Sequence, residues 1–255
     1  MLLALDVGNS STVVGVFDAD LLVHHWRLAT QHSWTPDEVA LHLQGLLRFA
    51  DLDLRRDVSG VVVASVVPPV TATVRAMVER HDLPTVVVAP GIRTGIPLRY
   101  EDPREIGADR IANAVAAVEL YGGPAVVVDF GTSTNFDAID RSGAFVGGAI
   151  APGVAISTDA LVARAAQLSE VSTDRPEHAI GRSTVQALQS GIVYGFAGQV
   201  DAVVGRIAAE LGPGVTTVAT GGMAPAVLEA CDSIDHHDPW LTLKGLRLVW
   251  DRNQR

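Results

Sequence analysis

The feature that most constrains this chain is a pattern it uses twice: an apolar run closed by Asp-x-Gly, a few short polar residues, then a second apolar run. The first copy is Leu5-Asp6-Val7-Gly8-Asn9-Ser10-Ser11-Thr12, continuing through 13–17. The second is Val128-Asp129-Phe130-Gly131-Thr132-Ser133-Thr134-Asn135, continuing through 136–139. Glycine and small polar residues between two β-type runs predict a hairpin bend. That setting separates both copies from Walker and dinucleotide loops, which run into a helix. Two such hairpins predict two related domains that grip a nucleotide between them.

Composition narrows the class. At 255 residues, 48% apolar and 19% charged, the chain suits a soluble globular enzyme of one large or two small domains. A net charge of −10 disfavours a nucleic-acid role, because phosphate backbones would be repelled. The single cysteine, Cys231, excludes an intrachain disulfide and a multi-cysteine zinc site, and a reducing cytoplasm is the simplest compartment. The opening Met-Leu-Leu-Ala-Leu-Asp lacks a basic region and is not read as a signal peptide. The apolar stretch 61–70 is broken by Ser65, Pro68 and Pro69 and is too short to span a membrane.

The runs 2–5, 13–17 and 21–28 predict a three-stranded meander, and 125–128, 136–139 and 144–150 predict its repeat. Between and after them the pattern predicts helices over 36–49 (N-cap Thr35), 70–81, 104–120, beyond Pro152, 183–211 and 225–231, and strands over 61–67, 85–88 and 215–219. The domain boundary is placed in or just after the 104–120 helix, giving domains 1–115 and 116–255.

Asp6 closes a buried strand, where a carboxylate can hold Mg²⁺ directly or through water while the metal bridges phosphate oxygens. Gly8 allows a sharp bend and close approach. Asn9, Ser10, Ser11 and Thr12 add short donors beside backbone N–H groups, an anion-binding concavity. Asp129, Gly131, Thr132, Ser133 and Thr134 repeat the chemistry. One such bend alone reads as an Asx or Ser/Thr turn; repetition favours the functional reading. Thr220-Gly221-Gly222 between a strand and a helix lets a flat nucleotide lie against backbone, although such turns are common. Asp109 and Asn113 share a helix face, and an acid beside Arg110 early in a helix is by itself an ordinary dipole-matched pair. The adjacent His24 and His25 point to opposite strand faces and cannot chelate together. Asp235-His236-His237-Asp238 reads as a solvated turn, Trp26 and Trp34 as packing residues, and Cys231 as a small buried apolar residue.

Asp6-Val7-Gly8-Asn9-Ser10, Tyr100…Pro103…Gly107-Ala108-Asp109-Arg110, Asp129-Phe130-Gly131-Thr132, Gly147-Gly148…Pro152-Gly153, Gly181-Arg182-Ser183-Thr184 and Thr220-Gly221-Gly222 stand in the order found in type III pantothenate kinases. The closing segment 238–246 also resembles that family, so the likeness covers nearly the whole chain. The resemblance implies an α/β fold of two ribonuclease-H-like domains of the actin/hexokinase type, with mixed sheets flanked by helices and a ligand cleft between them. It implies a homodimer that converts pantothenate and ATP to 4′-phosphopantothenate, the first step of coenzyme A synthesis, with Mg²⁺ and a monovalent cation, K⁺ or NH₄⁺. By motif, Asp109 would be the general base. Tyr100, Gly107, Ala108, Arg110 and Thr184 would bind pantothenate. Asp6, Val7, Gly8, Asn9, Ser10, Ser11, Thr12 and Val13 would hold ATP, with Asp6 at Mg²⁺; Thr132 would contact ATP and Asp129 would ligate K⁺. The second loop departs from the family's usual Thr-Ala-Thr-Thr at Ser133 and Asn135, which implies a tuned site. Two alternatives remain at this point: a weak or inactive homologue acting as a regulator, and another enzyme on the same fold, such as a sugar kinase or polyphosphate phosphatase.

Overall fold

The computed structural model describes residues 1–89, 91–164 and 174–254. It divides into two compact units, Met1–Ala116 with Leu241–Arg255, and Ala117–Trp240. In the first, β1 (Leu2–Val7), β2 (Ser11–Asp18) and β3 (Leu21–Ala29) form the antiparallel meander. Helix α1 (Pro36–Arg48) leads to β4 (Gly60–Ser65), parallel to β1, and α2 (Pro68–Arg80) leads to β5 (Thr85–Val87), parallel to β4. The sheet order is β3-β2-β1-β4-β5.

Local sequence accounts for these elements. Thr35 and Glu38 form a reciprocal capping box at the start of α1, satisfying two of the amide donors that a helix N-terminus leaves open. Pro68 and Pro69 open α2, where the missing N–H costs nothing. Strand alternation turns Leu3, Leu5, Val7, Val14, Val16, Val61 and Val63 into one core with Val39, Leu43, Leu47, Val74 and Met77 of the two helices. Asp6 alternates with Leu5 and Val7 and so lies on the opposite face.

That opposite face is covered by α7 (Leu241–Asn253), which packs on β1 and β4. The expected division gave 116–255 to the second half; the closing helix instead belongs with the first sheet. Two glycines make room for it: Leu243 lies where a side chain on Gly15 would begin, and the Trp250 ring occupies the corresponding place at Gly60.

In the second unit, β6 (Ala125–Phe130), β7 (Ser133–Ile139) and β8 (Phe145–Pro152) repeat the meander. Then come α4 (Val154–Arg164), α5 (Thr184–Leu211), β9 (Thr216–Thr220) parallel to β6, α6 (Ala224–Val227) and β10 (His236–His237) parallel to β9. The order β8-β7-β6-β9-β10 is that of the first sheet, strand for strand. Helix α3 (Ala108–Tyr121) contains the boundary between the units.

Three local expectations change. The helix predicted from 104 is interrupted: Asp102 caps a 3-10 turn at Pro103–Glu105, Ile106 is extended, and α3 begins only at Ala108. His236 and His237 are a short edge strand and not a free turn, with the His236 ring 4.9 Å from that of Tyr121. Cys231 is half-buried, its thiol 3.4 Å from the Val227 carbonyl. Among the described residues α5 is also long and apolar enough to cross a membrane by length and composition, but Ile192, Val200 and Val204 on it join the core of the second sheet.

A methyl at Gly245 would meet the Ala112 backbone carbonyl, which cannot rotate away. Gly245→Ala should therefore lose about 1–3 kcal/mol in urea unfolding. Gly45→Ala, at an exposed α1 position with open space around it, should gain about 0.5–1 kcal/mol. Equal effects at the two glycines would contradict the packing assigned to α7.

Candidate active site

The first bend links Val7 and Thr12, which pair across the hairpin. Within it the Gly8 N–H donates to the Ser11 carbonyl at 3.0 Å. Thr30, just past β3, donates its N–H to the Ser10 carbonyl (3.1 Å) and its hydroxyl to the Gly8 carbonyl (2.7 Å). Three of the bend's carbonyls are thus occupied inside the protein, while Asn9 and Ser10 are exposed. A bend with its acceptors tied off presents donors outward, which suits an anion. Thr12 Oγ1 lies 2.9 Å from Thr30 Oγ1, and exposed Arg27 donates from Nη1 to Ser11 Oγ at 3.0 Å. Asp6, half-buried at the end of β1, pairs with Val13 on one side and Ala64 on the other.

The second bend repeats the wiring. The Gly131 N–H donates to the Ser133 carbonyl (3.0 Å), and the Gly153 N–H, just past β8, donates to the Thr132 carbonyl (3.1 Å). An amide past each parallel strand also reaches back, Val66 N–H directly after β4 to the Val7 carbonyl and Met223 N–H three residues past β9 to the Phe130 carbonyl. The bends differ in length. Phe130 pairs with Thr134, one residue sooner than Val7 with Thr12, so Thr134 is the counterpart of Thr12. Asn135 then stands in β7 opposite Asp129 and accepts from Ser133 Oγ at 3.0 Å. Thr132 is exposed; Asp129 is half-buried and, like Asp6, lies on the sheet face away from the main helical layer. Gly221, at φ +93, backs onto it: a side chain there would strike the Asp129 carboxylate and the Phe130 backbone.

In the first unit, Gly107 and Asp109 open α3. Ile111 N–H bonds the Gly107 carbonyl at 3.1 Å, which fixes the helix start. The Arg110 N–H donates to Asp109 Oδ1 at 2.8 Å. Burial pushes the Asp109 carboxyl above its ordinary value, opposed by that hydrogen bond and by the Arg110 charge. Arg110 itself is buried at 6% exposure. A side chain at Gly107 would displace the Asp109 carboxylate, and the same spot is 3.5 Å from Val66, whose N–H bonds Val7 beside the first bend. Beside Gly107 and Ala108 lies a cavity of about 530 Å³, lined also by Ser65, Val66, Thr71 and Arg104.

The remaining predicted residues are more scattered. Tyr100 is half-buried ahead of the 3-10 turn. Thr184 is the exposed first residue of α5, where Ser183 Oγ caps the helix through the Gln186 N–H at 3.2 Å. A second cavity, of about 410 Å³, adjoins Gly222, Met223 and Pro225 past β9. Among the described residues no three His, Cys, Asp or Glu side chains converge as metal ligands; a cation here would draw its other ligands from phosphate, water or backbone oxygens. Sequence reasoning missed Thr30 and Arg27, and it singled out Gly153 only as part of the motif Gly147-Gly148…Pro152-Gly153. Matching the residue after each meander's third strand would have found Thr30 and paired it with Gly153.

The family model for type III pantothenate kinases matches residues 2–206. A protein named type III pantothenate kinase from Acidothermus cellulolyticus is 55% identical over 256 residues, covering 99% of both chains. One of the same name from Streptomyces coelicolor is 52% identical over 261 residues, covering 99% of this chain and 98% of that one. Among solved structures, one described as a Baf family transcriptional activator from Campylobacter jejuni aligns with TM-score 0.62 at 19% identity, covering 99% and 98% of the two chains. Component A of (R)-2-hydroxyglutaryl-CoA dehydratase from Acidaminococcus fermentans aligns with TM-score 0.57 at 13% identity, covering 97% and 95%. At such identities the likeness shows the fold, two ribonuclease-H-like domains of the actin/hexokinase type.

Because Asp109 has a raised pKa in the folded chain, its burial costs nothing below the ordinary carboxylate range. The cost grows as pH rises and is complete above the folded pKa. Asp109→Asn should accordingly stabilise the ligand-free protein at pH 7, on the order of 1 kcal/mol, with the gain shrinking on acidification. Denaturant titrations at several pH values measure this; a loss of stability at pH 7 would contradict it.

Proposed function

The chain belongs to the type III pantothenate kinase family, and from that membership we propose how its residues divide the work. The reaction is phosphorylation of pantothenate, a phosphoryl transfer to an alcohol that opens coenzyme A biosynthesis. The family and its kinase chemistry call for ATP with Mg²⁺. The observation that carries the reading is the presence in one unit of a bend that offers donors outward and, at the start of α3, a carboxyl held above its usual pKa. Both relatives above are named as kinases, which favours catalysis over the regulatory alternative.

Asp109 is the general base that takes the proton of the pantothenate hydroxyl; its raised pKa brings it nearer the working pH, where a base is most effective. The segment Asp6–Val13 holds the ATP phosphates. The half-buried Asp6 carboxylate fits a Mg²⁺ that takes its other ligands from phosphate and water. Thr132 contacts ATP. Asp129, opposite Asn135 and backed by Gly221, supplies an oxygen for K⁺ or NH₄⁺. Tyr100, Gly107, Ala108 and Arg110 bind pantothenate, Arg110 through a planar fork suited to its carboxylate, and Thr184 adds a hydroxyl.

The working species is a homodimer. Ile150, Ile156, Leu161, Ile180 and Val185 of the second unit are exposed, Ile180 at 81%, and a second copy is the covering that the family resemblance implies. A net charge of −10 disfavours nucleic acid and anionic membrane surfaces as partners, and the cytoplasm is the setting this reading assigns.

A coupled assay of ADP release tests the reading: turnover should require pantothenate and rise with K⁺ or NH₄⁺. No pantothenate-dependent ADP in either salt would reject it. Asp109→Asn should lower turnover by about 10²-fold or more with ADP affinity nearly unchanged; a full rate would remove Asp109 from the chemistry. Sedimentation velocity should show a dimer, and a monomer at assay concentrations would overturn that assignment.

A further inference from the structure

The two bends are wired alike but finished differently, and the difference isolates one residue. The amide just past the third strand bonds the bend in both sheets, Thr30 to the Ser10 carbonyl and Gly153 to the Thr132 carbonyl. At the second position a side chain is impossible, since it would strike the Gly131 and Thr132 carbonyls. At the first the side chain is present and used. Thr30 Oγ1 donates to the Gly8 carbonyl, which can only accept, so the proton shared between the two hydroxyls comes from Thr12. The result is a relay from Thr12 O–H to Thr30 O–H to the Gly8 carbonyl. Thr134, the counterpart of Thr12, has no such partner: its hydroxyl is fully buried and makes no hydrogen bond among the described residues. The relay is therefore not a requirement of the hairpin as such.

We propose that Thr30 is the positioning residue of the first phosphate loop, holding the Gly8 and Ser10 carbonyls inward so that only donors face the nucleotide's phosphates. This rests on the kinase reading above. A carbonyl released from Thr30 could turn toward the anion, and its partial negative charge would then oppose binding. The effect falls on the phosphate and not on the acceptor substrate.

The test is calorimetric binding of Mg·ADP to the full chain, with steady-state kinetics alongside. Thr30→Val, which keeps the shape and removes the hydroxyl, should weaken Mg·ADP binding about tenfold or more and raise KM for ATP, with KM for pantothenate little changed. Thr30→Ser, which restores the hydroxyl, should bind within about threefold of the parent, clearly short of the tenfold loss expected for valine. If the valine variant does not fold, Thr30→Ala takes its place with the same expected loss. Parental Mg·ADP affinity in a folded valine or alanine variant overturns the proposal, as does a serine variant as weak as valine. A parent chain that binds no Mg·ADP overturns both this proposal and the kinase reading; a binding parent with an unaffected Thr30→Val overturns this one alone.

Discussion

A polypeptide bend can hold an anion only if its carbonyls are occupied elsewhere. Every peptide carries one donor and one acceptor, so an untied loop faces a phosphate with both signs. Here the solution lies in the strand order. Placing the meander's third strand beside the second brings the residue after it onto the bend's carbonyls, and placing a parallel strand on the other side brings a further amide, from Val66 or Met223, onto Val7 or Phe130. The five-stranded order, present in both sheets, is thus what occupies the carbonyls of each Asp-x-Gly hairpin from within the protein.

The start of α3 imposes an opposing pair of demands on the Asp109 carboxyl. Asp109 lies in the first turn of α3, where the helix dipole and the Arg110 N–H favour a charged group. Burial outweighs them and raises its pKa. A carboxylate held so is strained but more basic, the compromise between stability and chemistry that active sites generally show. Gly107 keeps the space that the carboxylate occupies, and α7, through Leu243 and Trp250, closes the sheet face on which Asp6 lies.

Much of this was legible in the residues. Both meanders, the Thr35 and Ser183 helix starts and the duplicated bends follow from local patterning, because hairpin glycines and cap hydroxyls act over three or four residues. The unequal length of the bends was not legible: counted from each Asp-x-Gly, Ser11 and Thr134 hold the same place, and only strand register makes Thr12 the counterpart of Thr134. Nor was the home of α7, since chain proximity to the second half suggested the wrong sheet and the glycines that receive it, Gly15 and Gly60, lie more than 180 residues earlier. The interruption at Ile106 was signalled by Gly107 beside it, a poor helix former, but Pro103 ahead of it reads equally well as the first residue of a continuous helix. Thr30 escaped notice because its importance comes from strand pairing and not from any motif around it.

The central claim, that the first bend is a phosphate cradle serving the Asp109 carboxyl, is tested most directly by diffraction from crystals grown with a non-hydrolysable ATP analogue, Mg²⁺ and pantothenate. The account predicts phosphoryl oxygens within hydrogen-bond distance, about 3 Å, of backbone N–H groups in the Gly8–Thr12 bend, and the pantothenate hydroxyl within reach of Asp109. Density for the triphosphate away from that bend, or for the hydroxyl out of reach of Asp109, would contradict it.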